Sequence, residues 1–104
     1  MDLKTFREYL REIHKKGYSS YTLYFHGEYG GICTITDVYE DDDGDICLES
    51  GDGYDLEASA IYDRLRGYSG QAVVYMQFEG EEDPYDIYCG WYIDDDGDIG
   101  MDVH

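Results

Sequence analysis

Leu3, Phe6, Leu10 and Ile13 recur at intervals of three and four residues, so 2–16 reads as an amphipathic helix. Asp2 stands where an N-cap would, and Gly17 lies just past the last turn, where a left-handed residue commonly ends a helix. The period then falls to two. In SYTLYFHG (20–27), Tyr21, Leu23 and Phe25 alternate with Thr22, Tyr24 and His26, which is strand periodicity. GGICTITDVYED (30–41) is a second β-branched run, and DICLES (45–50) alternates again. Asp43-Gly44 between those two runs predicts a hairpin with a type I′ turn, because both central residues must tolerate positive φ. A three-stranded antiparallel meander over about 20–50 follows.

SGDGYD (50–55) has loop chemistry. DLEASAIYDRLRGY then sets Ala58, Ile61, Tyr62, Leu65 and Tyr68 on one helical stripe, with Asp55 as the expected N-cap and Gly67 as the stop. QAVVYMQFEG (71–80) returns to alternation, EGEEDP forms an acidic loop holding the only proline, and YDIYCGWYI (85–93) and DIGMDV (98–103) supply two more strands around a second Asp-Gly turn at 96–97. The expected fold is a single α+β domain over 1–104, of order α-β-β-β-α-β-β-β with mainly antiparallel pairing. DDDGD occurs at a hairpin tip in each half, and since the helices and loops differ, it reads as one turn chemistry used twice, with internal duplication as the alternative.

A chain of 104 residues with 42% hydrophobic and 16% aromatic content can build one core, in spite of a net charge of -18. The charge is segregated. Lys4, Arg7, Arg11, Lys15 and Lys16 lie in the first helix and its end, and the other bases are Arg64 and Arg66. Their side of the first helix reads as a solvated polar face, or as a counterweight to the acids elsewhere. So little cationic charge argues against binding to phosphate backbones or anionic membranes, which require Lys/Arg clusters. The complementary partner is cationic. No stretch of about eighteen apolar residues occurs and the N-terminus lacks a signal-peptide core, so a cytoplasmic location is expected. Cys33, Cys47 and Cys89 form no C-x-x-C pair and read as reduced thiols packed as small hydrophobes.

Asp-Gly-Asp strings invite calcium, but the EF-hand register fails here. With Gly44 at loop position six, positions one and twelve are Tyr39 and Ser50; with Gly97 there, they are Tyr92 and Val103. No metal or other cofactor is therefore expected. Nor is catalysis: G-x-S-x-G, H-E-x-x-H and glycine-rich phosphate loops are absent, and nothing in the sequence joins Cys33 or Cys47 to His26 as nucleophile and base. The charge itself remains. Alternate strand residues lie about 6–7 Å apart on one face, so outward acids such as Asp86, Asp98 and Asp102 form a negative row whose spacing is comparable with that of phosphates. Thirteen tyrosines and Trp91 add the flat amphipathic area enriched at interface hot spots.

YLREIHKKGYSSYTLYFHG, ICTITDVYEDDDGDICLES and YDLEASAIYDRLRGY, over about residues 9–68, together resemble the small acidic anti-CRISPR proteins of phages, in particular inhibitors of type II-A Cas9. The resemblance lies in element order and local patterns: a helix with a Lys-rich end, three strands with an acidic hairpin, and a helix. It implies inhibition by mimicry, with acidic side chains occupying the site where nuclease arginines read the PAM guanines. Carried over, the matching hairpin supplies Glu40, Asp41, Asp42, Asp43 and Asp45, with Glu49 on the next strand. Residues 71–103 depart from that pattern.

The sequence thus leads to a non-enzymatic inhibitor that mimics DNA and binds a basic nucleic-acid-binding protein, most concretely a CRISPR-Cas effector. Asp94, Asp95, Asp96 and Asp98 are expected to form a second anionic tip beside the first. The competing reading is an immunity protein that neutralises a basic nuclease toxin.

Overall fold

The structure, a computed structural model, describes residues 1–27, 31–88 and 90–104. Gly30, at the head of the second β-branched run, and Cys89 lie outside the described residues.

Helix α1 spans Leu3–Lys15, and Leu3, Phe6, Leu10 and Ile13 are buried on it as their spacing requires. Asp2 is its N-cap, accepting a hydrogen bond from the Thr5 amide at 2.8 Å. Strand β1 is Leu23–Gly27, β2 is Ile32–Cys33, β3 is Asp37–Glu40 and β4 is Ile46–Ser50. The second half repeats the order with helix α2 at Ala58–Arg64, β5 at Val74–Phe78, β6 at Tyr85–Asp86, β7 at Tyr92–Ile93 and β8 at Ile99–Val103. The α+β class therefore stands, while the middle strand of each half is broken into two. Asp55 does not cap α2: the N-cap is Glu57, without a side-chain bond, and the Asp55 carboxylate instead accepts from the Thr34 hydroxyl at 2.5 Å.

The strands form two mixed sheets, in the orders β2-β1-β8-β7 and β3-β4-β5-β6. This overturns the local meander. β1 pairs antiparallel with β2 but parallel with β8, and β4 pairs antiparallel with β3 but parallel with β5. The break in each middle strand is the reason. Residues 32–40 begin in one sheet and end in the other, and 85–93 make the opposite crossing. At the first bend the Thr36 hydroxyl donates to the Glu49 carbonyl and accepts from the Gly51 amide. At the second, Asp86 and His104 exchange backbone hydrogen bonds of 2.8 and 3.0 Å, and Ile87 bridges to Val103. Each sheet edge thus continues as an edge of the other sheet, which leaves little unpaired edge for aggregation.

The two halves are related by an internal pseudo-two-fold. The helix-start amides of Leu3 and Lys4 donate to the carbonyls of Ala72 and Gly70 ahead of β5, while those of Ala58 and Ser59 donate to Tyr21 and Ser19 ahead of β1. Tyr39 donates to Glu49 as Tyr92 donates to Asp102. The repetition of DDDGD is therefore part of an architectural repeat, not an isolated reuse of turn chemistry. Gly17-Tyr18-Ser19 and Gly67-Tyr68-Ser69 are its trace in the sequence, and both glycines have φ of 87°.

Each sheet takes two strands from each half, so neither half can bury its apolar face alone. Leu23, Phe25, Ile46, Leu48, Val74, Met76, Ile99 and Met101 meet the helix residues in one core, and no polar or charged residue is fully buried among the described residues.

Candidate functional site

Each hairpin tip is built from its first aspartate. The Asp41 amide donates to the Asp45 carbonyl and the Gly44 amide to the Asp41 carbonyl, with φ of 84° at Gly44 and no positive φ at any described non-glycine residue. That is a three-residue loop, a type I turn closed by a left-handed glycine, and not the type I′ turn expected from Asp-Gly alone. The Asp41 Oδ1 accepts from the amides of Asp43 and Asp45, each at 2.9 Å, and Asp94 Oδ1 accepts from Asp96 and Asp98 at 3.0 and 2.9 Å. Asp and Asn side chains fold back in this way on the backbone two residues ahead, and Ser or Thr hydroxyls do so more weakly.

The ten acids predicted for partner binding consequently divide by task. Asp41 Oδ2 accepts from the Tyr75 hydroxyl at 2.8 Å, and this bond first, then the backbone amides, holds its carboxyl below the usual range. Asp45 accepts from the Val73 amide at 3.1 Å, tying the loop to the start of β5. Glu49 accepts from Tyr39. Asp94 Oδ2 lies 3.5 Å from His26 Nε2, a buried nitrogen without a hydrogen bond. Glu40, Asp42, Asp43, Asp95 and Asp96 are exposed, and Asp98 is half-buried. These exposed carboxylates are the ones not consumed in holding the turns.

The two tips are not neighbours on one sheet, because β3–β4 and β7–β8 belong to different sheets. Asp86 belongs to β6 in the sheet of β5, yet it exchanges backbone hydrogen bonds with His104, two residues past Asp102, so it meets the end of β8, the strand that follows Asp98 and carries Asp102. Asp94, Asp96 and Asp98 each bring a carboxylate oxygen within 4.8 Å of the others, a spacing that a hard cation can bridge. Since Asp94 already holds two amides, the cluster is first of all the geometry of the turn.

No family model, curated protein or solved structure matches the chain.

Behind each tip the outer sheet face is tyrosine-rich. Cys47 is fully buried between Tyr39 and Tyr75, and burial raises its thiol pKa. Both phenol pKa values are raised above the ordinary tyrosine value, by the bond with Cys47 first for Tyr39, and by burial followed by Asp41 for Tyr75. Neither described thiol has His26 among its contacts. Cys33 approaches the Phe25 carbonyl and the Met76 sulfur, both at 3.8 Å, and burial pushes its pKa up to about 11. Elsewhere, Trp91 Nε1 donates to Glu12 at 2.9 Å, and the Tyr18 ring packs between Tyr21 and Trp91. Among the described residues, no helix is long and apolar enough to cross a membrane.

The bases were legible only as a helix face, and their tasks depend on tertiary packing. Arg7 donates from Nη2 to the carbonyls of Leu65 and Tyr68, the latter at 2.8 Å, and so satisfies the end of α2. Arg11 lies against the Tyr62 ring, 6.0 Å from its centroid, with Nε 3.2 Å from the hydroxyl. Arg64 pairs with Asp37 at 3.0 Å and Arg66 with Asp63 at 3.4 Å. A relative spacing of four between Arg7 and Arg11 was the only signal for this cationic wall.

Proposed function

We propose that the protein inhibits a nucleic-acid-binding protein by presenting carboxylates to the groove that normally holds phosphates. The target class indicated by the sequence resemblance is a bacterial CRISPR-Cas effector. One observation carries the reading. Among the described residues only two Lys/Arg side chains pair with carboxylates, both at exposed positions, so most of the 25 acids stay uncompensated. Self-repulsion on this scale opposes compaction, and solubility requires far less charge, so the excess calls for a cationic partner. The tips support it further: the turns are held by Asp41 and Asp94, which leaves Glu40, Asp42, Asp43, Asp95 and Asp96 outside.

The test uses guide-loaded Cas effectors, titrated with the protein between 50 mM and 0.5 M salt, with target DNA as competitor. Mimicry requires competition with DNA and an affinity that falls steeply with salt. The combined variant Glu40→Gln, Asp42→Asn, Asp43→Asn, Asp95→Asn, Asp96→Asn keeps both turn-holding aspartates, so it should fold and lose most of the binding. Affinity indifferent both to salt and to this variant would sink the proposal.

A further inference from the structure

Three of the seven bases of this acidic chain, Arg7, Arg11 and Arg66, line two adjoining depressions. Between α1 and α2 lies a cleft of about 260 Å³ whose floor is Leu10, Ala58 and the Tyr62 ring and whose walls carry Arg11, Arg66 and Asp63. A shallower depression continues from it past Arg7 and Tyr68. Arg11 is fixed from below by Tyr62, through Nε and the ring face, and among the described residues its two terminal nitrogens have no partner. Arg66 reaches into the same space with its side chain 74% exposed. The floor is apolar and the rim basic, and this in a molecule whose net charge is -18.

We propose that this cleft binds a small amphiphilic anion: an apolar body lying on Leu10, Ala58 and Tyr62, and a single carboxylate-like head held between Arg11 and Arg66. Three features select that class. The volume of about 260 Å³ falls just below the usual range of about 300–1,000 Å³ for drug-sized ligands, which suits a smaller molecule and not a folded partner. The two arginines against Asp63 leave one net positive charge, which matches one anionic head. Finally, a nucleic acid or acidic peptide would bring many charges against the field of the whole chain, whereas a monoanion meets mainly charges within a Debye length of about 8 Å. Guanidinium suits a planar carboxylate because it can offer two parallel donors.

The experiment is a titration of the ¹⁵N-labelled full chain with octanoate, alongside 1-octanol, which lacks the charge, and acetate, which lacks the apolar body. Octanoate should shift amides of residues 10–19 and 58–66 with a dissociation constant of about 1 mM or tighter, an affinity reasonable for a ligand of this size. Octanol and acetate should each bind at least tenfold more weakly. Arg66→Met, at an exposed position, and Arg11→Met, which keeps the stem on Tyr62, should each weaken octanoate about fivefold or more. Ser59→Phe should block the cleft from its exposed rim. If Arg11→Met fails to fold, the Arg66 and Ser59 variants decide the matter. Octanol binding as tightly as octanoate, shifts scattered away from the two helices, or wild-type affinity in the Arg66 and Ser59 variants would each overturn the proposal.

Discussion

Replacing Arg7 with Met separates two accounts of why this acidic chain keeps its bases in one helix. If Arg7 merely offsets distant carboxylates, its effect is long-range and fades with salt. The structure gives it a local task instead: half-buried, it donates to the carbonyls of Leu65 and Tyr68, joining α1 to the end of α2. A hydrogen bond from a charged donor contributes about 1.5–3 kcal/mol, and because the two bonds share one nitrogen, about 2 kcal/mol in total is a fair expectation. Met retains the aliphatic stem, so little packing is lost. For a domain of this size, 2 kcal/mol lowers the Tm by about 10 °C. Lys restores charge but cannot reproduce the guanidinium geometry, so Arg7→Lys should recover less than half of the loss. The assay is urea unfolding followed by circular dichroism, at 0.05 and 0.5 M salt. A loss below about 0.5 kcal/mol, or one that disappears at high salt, would refute the capping account.

Gly100→Ala should destabilise: the added Cβ meets the Tyr92 ring at 2.8 Å and His26 at 3.1 Å, and overpacking of about 1–3 kcal/mol outweighs the roughly 0.5–1 kcal/mol gained by removing glycine from a strand. Adding Tyr92→Val should rescue the urea midpoint, and a stabilising single variant would contradict this. Asp41→Asn should lower stability at pH 7, whereas exposed Asp42→Asn should not. Because Asp41's folded pKa is depressed, its contribution is present above the ordinary carboxylate range and lost as pH falls through the folded value, so the gap between wild type and Asp41→Asn should close below about pH 4 in acid titrations of unfolding. Cys33, pushed up to about 11 by burial, should be alkylated at pH 8 at least tenfold more slowly in the native state than in urea, as site-resolved mass spectrometry would show.

The helix α1 was legible down to its cap because everything it needs is local: a three-to-four apolar period, an aspartate able to reach the Thr5 amide, and a glycine after the last turn. The strand residues that face the core were legible for the same reason, since alternation fixes which side is apolar. The hairpin tips were located correctly, but their turn type was not, because Asp-Gly serves both a two-residue and a three-residue loop. What separates the two is the Asp41 side chain, two positions earlier, accepting from two amides.

Pairing could not be read from the chain in the same way. An alternating strand presents the same face to a parallel or an antiparallel neighbour, and loop chemistry favours the sequence-adjacent one, hence the meander that the structure replaces. β1 finds β8, 72 residues or more away, and β4 finds β5, because residues 32–40 and 85–93 each bend from one sheet into the other and carry the chain across. The candidate site divides along the same line. Composition determined that this protein is a polyanion, since charge is additive and independent of fold, and the order of residues alone set its few bases apart. Which aspartates are consumed in holding the turns, which remain outside, and that the arginines line a cleft between two helices were decided only by tertiary structure, because each depends on a partner that distant segments bring within hydrogen-bonding reach.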